Sequence, residues 1–172
     1  SDESITDSYV ANRSRNYETI LSEAQLDSWL AKLNSADLVC FDTETTHIDA
    51  NLAELVGLSF AFEPGEAWYI PCPASRDETL AILHFFQPLF ADPTITWVGQ
   101  NLKYDLLVLK WYDVELKGPL FDTMLAHYVV EPDGKRSMDE LSAQFLGYEP
   151  VHIEELIGKK VPKNSTSKQQ GT

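Results

Sequence analysis

The sequence predicts an α/β fold in which a mixed sheet of about five strands is flanked by helices. Three short apolar runs come first, and helical and strand patterns alternate from about residue 80 onward. Such alternation is typical of a sheet that is covered by helices. A Pro-Gly turn between the second and third runs also predicts a hairpin, so we expect antiparallel strands within the sheet.

The first predicted elements are a helix and a strand. Ser22 and Gln25 form a capping box, and apolar residues then recur at helical spacing to about residue 35. Residues 38–41 are a short apolar run of strand character, which the polar Thr-Glu-Thr-Thr segment follows. The chain before them is polar and has no apolar period, so residues 1–16 are predicted to be a linker or flexible arm.

The next elements are a hairpin, a helix and a strand. Residues 55–62 and 67–70 are apolar or aromatic runs on either side of Pro64-Gly65, and we expect them to pair as antiparallel strands. Apolar residues from 80 to 90 mark one helix that ends before a proline. Residues 95–98 then predict a fourth strand.

The last predicted elements alternate between helix and strand. Residues 101–111 are predicted to be helical, and residues 120–121 form a fifth strand. Asp122 is expected to cap a helix at 124–130, and Ser137 begins a final helix with a second capping box. Three tryptophans lie in apolar runs and are expected in the core: Trp68, Trp97 and Trp111.

The composition is that of a packed domain with an acidic surface. The 172 residues include 27 acidic and 13 basic side chains, a net charge of -14, which opposes binding to phosphates. No apolar run approaches the length of a membrane span, and the first residues lack a signal-peptide pattern, so we predict a cytoplasmic protein. Residues 17–160 are the predicted domain and residues 161–172 a mobile tail.

Two carboxylates stand two positions apart where the first predicted strand ends. Asp42 and Glu44 flank Thr43, and the alternation of side chains along a strand predicts both acids on one face. Neighbouring carboxylates repel each other unless a cation lies between them, and Mg²⁺ and Mn²⁺ prefer oxygen ligands. The pair therefore predicts either a divalent-metal site or a solvated strand end with two surface acids.

A second polar cluster follows the fourth predicted strand. Asn101 and Asp105 are four positions apart and so share one face of the predicted helix. One interpretation is a helix cap at Asn101 with a surface acid at Asp105. The other is that Asp105 faces the end of the first strand, where three converging carboxylates would form a site for two metal ions.

Both clusters resemble motifs of the DEDD exonuclease superfamily. Phe-Asp-Thr-Glu-Thr at 41–45 is similar to its first motif, and Asn-Leu-Lys-Tyr-Asp at 101–105 is similar to its second motif in the form found in bacterial family A DNA polymerases. Further runs resemble the proofreading exonuclease domain of that polymerase family in order and spacing: 55–60, 67–71, 98–101 and 121–124. The likeness covers roughly residues 17–160.

The resemblance implies a ribonuclease H-like fold and a 3′-to-5′ exonuclease that removes mispaired 3′-terminal nucleotides during DNA replication and repair. It implies two divalent ions, Mg²⁺ or Mn²⁺. Asp42 would bridge both, Glu44 would bind the first and help orient the attacking water, and Asp105 would serve the second. Four residues would contact the terminal nucleotide: Thr45, Ile48, Asn101 and Tyr104.

The resemblance implies two partners, a single-stranded or frayed DNA 3′ end and a polymerase domain of the same polypeptide. It implies no association with a membrane and a monomeric state. The family's third motif, a tyrosine followed by an aspartate on a late helix, is not found. We therefore expect the domain to be truncated and its fourth carboxylate to be missing, which leaves the activity of this chain alone open.

Two other hypotheses stay open. One is a module that has lost catalysis and supports a polymerase domain, against which the presence of Asp42, Glu44 and Asp105 argues. The other is a free-standing ribonuclease that trims RNA, against which the polymerase-like second motif argues.

Overall fold

A computed structural model of the chain describes residues 15–33 and 35–151. The predicted tail at 161–172 lies outside the described residues, as do residues 1–14 of the predicted arm. None of the described helices is long and apolar enough to cross a membrane.

The described residues form the predicted α/β architecture of a sheet with flanking helices. The elements are β1 (Asn16–Thr19), α1 (Glu23–Leu33), β2 (Leu38–Thr45), β3 (Leu55–Ala61), β4 (Glu66–Pro71), α2 (Arg76–Phe85), α3 (Gln87–Phe90), β5 (Thr96–Gly99), α4 (Leu102–Lys110), β6 (Leu120–Asp122), α5 (Thr123–Val130) and α6 (Met138–Leu146).

The strands form one mixed sheet in the order β1-β4-β3-β2-β5-β6. Strands β2, β3 and β4 pair antiparallel along the chain, whereas β2 pairs parallel with β5, and β5 with β6. The carboxyl ends of β2 and β5 therefore lie at the same edge of the sheet. Because α4 begins directly after β5, its first turn comes close to the end of β2.

One face of the sheet packs on an aromatic core. Phe60 of β3 is 1% exposed, and its ring centroid lies 4.9 Å from that of Trp29, 5.3 Å from Phe41 and 6.2 Å from Phe86. These tilted contacts join α1, the junction between α2 and α3, and two strands, and aromatic pairs in such arrangements stabilise beyond the area that they bury. The core thereby fixes the position of β2 within the sheet.

The opposite face of β2 carries the acidic pair beside small residues. In the β2–β3 register Cys40 is opposite Ala61, Asp42 is opposite Ser59 and Glu44 is opposite Gly57. A cleft of about 270 Å³ opens there, with Asp42 in its lining. Small neighbours leave the Asp42 carboxylate accessible from this face.

The sheet has a sixth strand that the sequence analysis did not predict. Asn16 was assigned to the arm, but Asn16–Thr19 pairs parallel with β4, from Asn16 opposite Glu66 to Thr19 opposite Tyr69. All four side chains of this edge strand are exposed. Main-chain hydrogen bonds to β4 hold the strand. Its side chains do not alternate between apolar and polar, which is the pattern from which strands are predicted.

Two further expectations differ from the structure. The single helix predicted from 80 to 90 is divided at Phe86. A new helix begins at Gln87, with Pro88 in its first turn, and a proline cannot continue the preceding helix. Trp111 is 53% exposed because it lies at the C-cap of α4, where the chain leaves the core. Trp68 and Trp97 are buried, as predicted.

Candidate active site

Strand β2 places Asp42 and Glu44 on one face and Thr43 on the other. The burial of its side chains alternates, with Thr43 only 8% exposed and the two acids exposed to solvent. The acids therefore stand on the open face, while Thr43 points toward the layer that contains α4. A shift in register interrupts the β2–β3 pairing between Glu44 and Thr45, directly after the pair.

Asp105 of α4 is held by Thr43. Its Oδ1 atom accepts hydrogen bonds from the Thr43 backbone N–H at 3.0 Å and from the Thr43 hydroxyl at 2.6 Å. The Asp105 residue is 2% exposed, so these bonds stabilise a carboxylate that burial would otherwise make costly. The residue between the two acids of β2 thus joins that strand to the third carboxylate.

The three carboxylates are coupled through Asp42. Partial burial, and to a smaller extent the charges of Asp105 and Glu44, together raise the pKa of Asp42 to about 7, against the opposing effect of a hydrogen bond from the Thr43 backbone. Burial also raises the pKa of Asp105, although the Thr43 hydrogen bonds lower it. The two donors from Thr43 favour the anion of Asp105, and the charge of Asp105 in turn favours the protonated form of Asp42.

The donor chemistry of this group fits a hard divalent cation. A cation beside Asp42 would replace the repulsion among the carboxylates with attraction, and carboxylate oxygens are ligands that Mg²⁺ and Mn²⁺ prefer. Within residues 15–33 and 35–151, however, no three His, Cys, Asp or Glu side chains already have the spacing to hold a metal ion. The acids are electrostatic neighbours and do not form a closed set of ligands.

Two of the four predicted nucleotide-contacting residues meet beside the end of β2. The Tyr104 hydroxyl lies 2.5 Å from Thr45 Oγ1 and donates a hydrogen bond to the carbonyl oxygen of His47. Ile48, the next residue of that loop, is 93% exposed. These contacts connect α4 to the β2–β3 loop and leave an apolar side chain exposed at its surface.

Asn101 ends the turn between β5 and α4. Its backbone is left-handed, with φ 62° and ψ 45°, a conformation that Asn tolerates better than most residues. Its side chain makes no capping hydrogen bond to α4. Its carbonyl oxygen accepts from the Tyr104 amide at 3.0 Å, so Asn101 and Tyr104 belong to one helical turn.

Thr43 is the residue of this site that the sequence analysis missed. The signal was present, because alternation that directs Asp42 and Glu44 to one face must direct Thr43 to the other. The sequence did not indicate that Asp105, 62 positions away, would accept hydrogen bonds from both the backbone N–H and the hydroxyl of Thr43.

We expect Thr43→Val to lower the free energy of unfolding by about 1–3 kcal/mol, since the buried Asp105 carboxylate loses the hydroxyl donor while its burial remains. Thr43→Ser retains a hydroxyl and is the matched control. Urea denaturation at pH 8 measures both variants. Equal stability of the Val and Ser variants would show that this hydroxyl does not stabilise Asp105.

Comparison with known proteins gives one consistent family. The 3′-5′ exonuclease family matches residues 17–171. DNA polymerase I of Pseudomonas aeruginosa is 41% identical over 154 residues, covering 84% of this chain and 17% of that protein. DNA polymerase I of Borreliella burgdorferi is 34% identical and covers 83% of this chain and 16% of that protein. The chain thus spans a small part of the length of these relatives.

Solved structures agree on the fold. The Brucella melitensis protein NrnC with bound Mg²⁺ has a TM-score of 0.63 at 19% identity, covering 88% of this chain and 70% of that chain. A structure of M. smegmatis Pol1 in complex with DNA primer-template and dNTP has a TM-score of 0.60 at 27% identity, over 77% of this chain and 23% of that one. The sheet and helices described above therefore have the ribonuclease H-like fold that the resemblance implied.

Proposed function

The chain belongs to the 3′-to-5′ exonuclease domains of the DNA polymerase I family, and on that premise we propose that it removes nucleotides from DNA 3′ ends by hydrolysis at Asp42, Glu44 and Asp105. The observation that carries the proposal is the bridge between β2 and α4, in which Thr43 holds Asp105 beside the strand that bears Asp42. Such a cluster of mutually repelling acids is costly to fold, which favours a functional role.

We assign divalent cations to this group of acids. The Mg²⁺ in the NrnC structure supports the choice of a hard divalent ion. Bound ions would lower the pKa of the attacking water and stabilise the leaving 3′ oxygen. In this proposal Asp42, Glu44 and Asp105 supply the ligands, and Glu44 also orients the water.

Four residues are proposed to hold the terminal nucleotide: Thr45, Ile48, Asn101 and Tyr104. The bonded pair of Thr45 and Tyr104 gives a rigid polar wall. The exposed Ile48 offers an apolar surface for a base, and the Asn101 side chain has amide groups that its helix does not use. An unpaired or frayed end enters such a site more readily than a paired one, which favours removal of mispaired nucleotides.

We further propose that the domain acts within a longer polypeptide in the bacterial cytoplasm, as a monomer. The support is that the chain covers only 17% of the P. aeruginosa polymerase. A polymerase domain on the same polypeptide would bind the duplex and supply the 3′ end at high effective concentration.

The test compares digestion of labelled strands. DNA with a matched or a mismatched 3′ end and an RNA strand of the same sequence are incubated with Mg²⁺ or Mn²⁺ and either this chain or the longer polypeptide. We expect stepwise shortening of the DNA with release of 5′-nucleoside monophosphates, and no shortening by Asp42→Ala or with EDTA. Preferential digestion of the RNA would identify a ribonuclease instead.

A second candidate function is a non-catalytic module that supports a polymerase domain. It is favoured by the absence, within the described residues, of three acids already spaced to hold a metal ion. In the digestion test this candidate predicts no shortening by the longer polypeptide with either metal.

The net charge of -14 leads to a prediction on DNA binding. We expect this chain to bind single-stranded oligonucleotides much more weakly than the longer polypeptide does, and only with a divalent cation, because the acidic surface repels phosphates. Each phosphate contact contributes about -0.7 to the slope of log K against log salt for single strands, so few contacts give a shallow slope. Fluorescence anisotropy with a phosphorothioate 3′ linkage measures both quantities. Tight metal-independent binding with a steep slope would contradict this account.

A further inference from the structure

The turn between β5 and α4 is held by residues of another element. Asn101 has left-handed backbone dihedrals, and its side chain does not cap α4. The start of the helix that carries Asp105 therefore depends on groups outside the helix. Those groups come from the junction between β6 and α5, which lies beside β5 in the sheet.

Asp122 is the main contact of this junction. Its Oδ1 atom accepts the backbone N–H groups of Met124 at 2.9 Å and Leu125 at 3.2 Å, which caps α5 as the sequence analysis predicted. The same atom accepts the backbone N–H of Asn101 at 3.1 Å. A helix cap needs only the first two bonds, so the third is an additional link to α4.

Thr123 contacts the same turn. Its hydroxyl lies 3.1 Å from the Gly99 carbonyl oxygen and 2.6 Å from Gln100 Oε1. Gln100 in turn donates to the Arg136 carbonyl oxygen at 2.7 Å. All three residues of the turn, 99–101, are thus bonded to neighbouring elements.

We propose that Asp122 is a positioning residue of the nuclease site, which holds the Asn101 amide and so fixes the axial position at which α4 presents Asp105 to Thr43. This inference rests on the proposed function for its role in metal binding. Asn101 and Asp105 are one helical turn apart, so a displacement of the first is passed to the second through rigid helix. The Thr43 bonds, at 2.6 Å and 3.0 Å, leave little room for such a shift.

Asp122 supplies both a negative charge and the acceptor atom for three backbone N–H groups, and two substitutions separate these contributions. Asp122→Asn removes the charge and keeps an acceptor for all three N–H groups. Asp122→Ser keeps a residue that caps helices well, but its oxygen is one bond nearer to the backbone, so we expect it to lose the Asn101 bond.

Two measurements on the 172-residue chain test the proposal. Hydrogen exchange of the Thr43 amide, followed by NMR, reports the Thr43–Asp105 bond without any metal. Electron paramagnetic resonance of Mn²⁺ gives its dissociation constant. Ser22→Ala is the matched control, because it removes the cap of α1, where Ser22 Oγ accepts the Gln25 N–H at 3.3 Å, and none of the contacts of the turn described above involves α1.

We expect Asp122→Ser to accelerate Thr43 exchange at least tenfold and to weaken Mn²⁺ binding by 10- to 100-fold. The Thr43 exchange rate of Asp122→Asn should stay within about twofold of the wild type. Ser22→Ala should stay within about twofold in both the Thr43 exchange rate and the Mn²⁺ dissociation constant. Unchanged Thr43 exchange in a folded Asp122→Ser variant would overturn the proposal. A wild-type chain that binds no Mn²⁺ while Asp122→Ser still accelerates exchange would refute the metal site of the proposed function and leave the positioning role standing.

Discussion

Asp42→Asn is expected to slow 3′-end removal on the order of 10³-fold and, in the absence of metal, to make the domain more stable. The loss of rate follows because Asp42 is the acid coupled to both of the others, and a loss of about 4 kcal/mol in transition-state stabilisation corresponds to that factor. An inactive variant that is also more stable separates a functional acid from a structural one.

The gain in stability follows from the raised pKa of Asp42, which is about 7 against an ordinary value of 3.8. The folded chain then holds this proton more tightly than the unfolded chain does, so stability falls as pH rises from about 4 to about 7 and is constant above. Asn cannot ionise and avoids the loss. Because solvent screens the exposed carboxylate, we expect a gain of about 1–2 kcal/mol at pH 8 and almost none at pH 4.

Thermal unfolding in EDTA, from pH 4 to pH 8, measures the difference between Asp42→Asn and the wild type. Addition of Mg²⁺ should stabilise the wild type more and reduce that difference. Asp27→Asn, on the exposed surface of α1, is the control for the loss of one negative charge. A stability difference between the two proteins that does not change with pH would show that folding does not raise the pKa of Asp42.

Phe60→Ala is expected to lower the free energy of unfolding by about 3–5 kcal/mol, a large part of the 5–15 kcal/mol that domains usually possess. Phe60 contacts the rings of Trp29, Phe41 and Phe86, so its removal leaves a cavity between the sheet, α1 and the junction of α2 and α3. The walls of this cavity belong to separate elements and cannot all collapse into it.

Phe62→Ala is the matched control for this core substitution. Phe62 stacks on Trp68 with centroids 4.5 Å apart, but it is only half-buried at the margin of the core. We expect a cost of about 1 kcal/mol for it. Both values come from urea midpoints at constant m. A Phe60→Ala variant no less stable than Phe62→Ala would contradict the central place given to Phe60.

The fold could be predicted where local chemistry decides the structure. Ser22 Oγ accepts the Gln25 amide at 3.3 Å, as predicted for a capping box, while the Gln25 side chain accepts the amide of Leu21 at 3.1 Å. The hairpin turns at a glycine with φ 90°. Strand β1 could not be predicted, because main-chain bonds to β4 hold it and its side chains are all exposed. A pattern of side chains carries no information on such a strand.

The site was predictable in its residue types more than in its contacts. Spacing places Asp42 and Glu44 on one face of a strand, and resemblance names Asp105 as their partner. Neither spacing nor resemblance indicated that Thr43 would bind Asp105, or that Asp122 would link α5 to Asn101. Both contacts join residues that are distant along the chain, and only the packed sheet brings them together.

The 62 positions between Thr43 and Asp105 also bear on when the site forms. Closing a loop of that length costs about 4 kcal/mol of chain entropy, so we expect the contact to form after β2 and β5 have paired. On a ribosome, a chain that has emerged only as far as β4 contains Asp42 and Glu44 of β2. It lacks α4, which carries Asp105. In such an unfinished chain the contact between Thr43 and Asp105 is absent, so the proposed site would be assembled only when the central strands have paired.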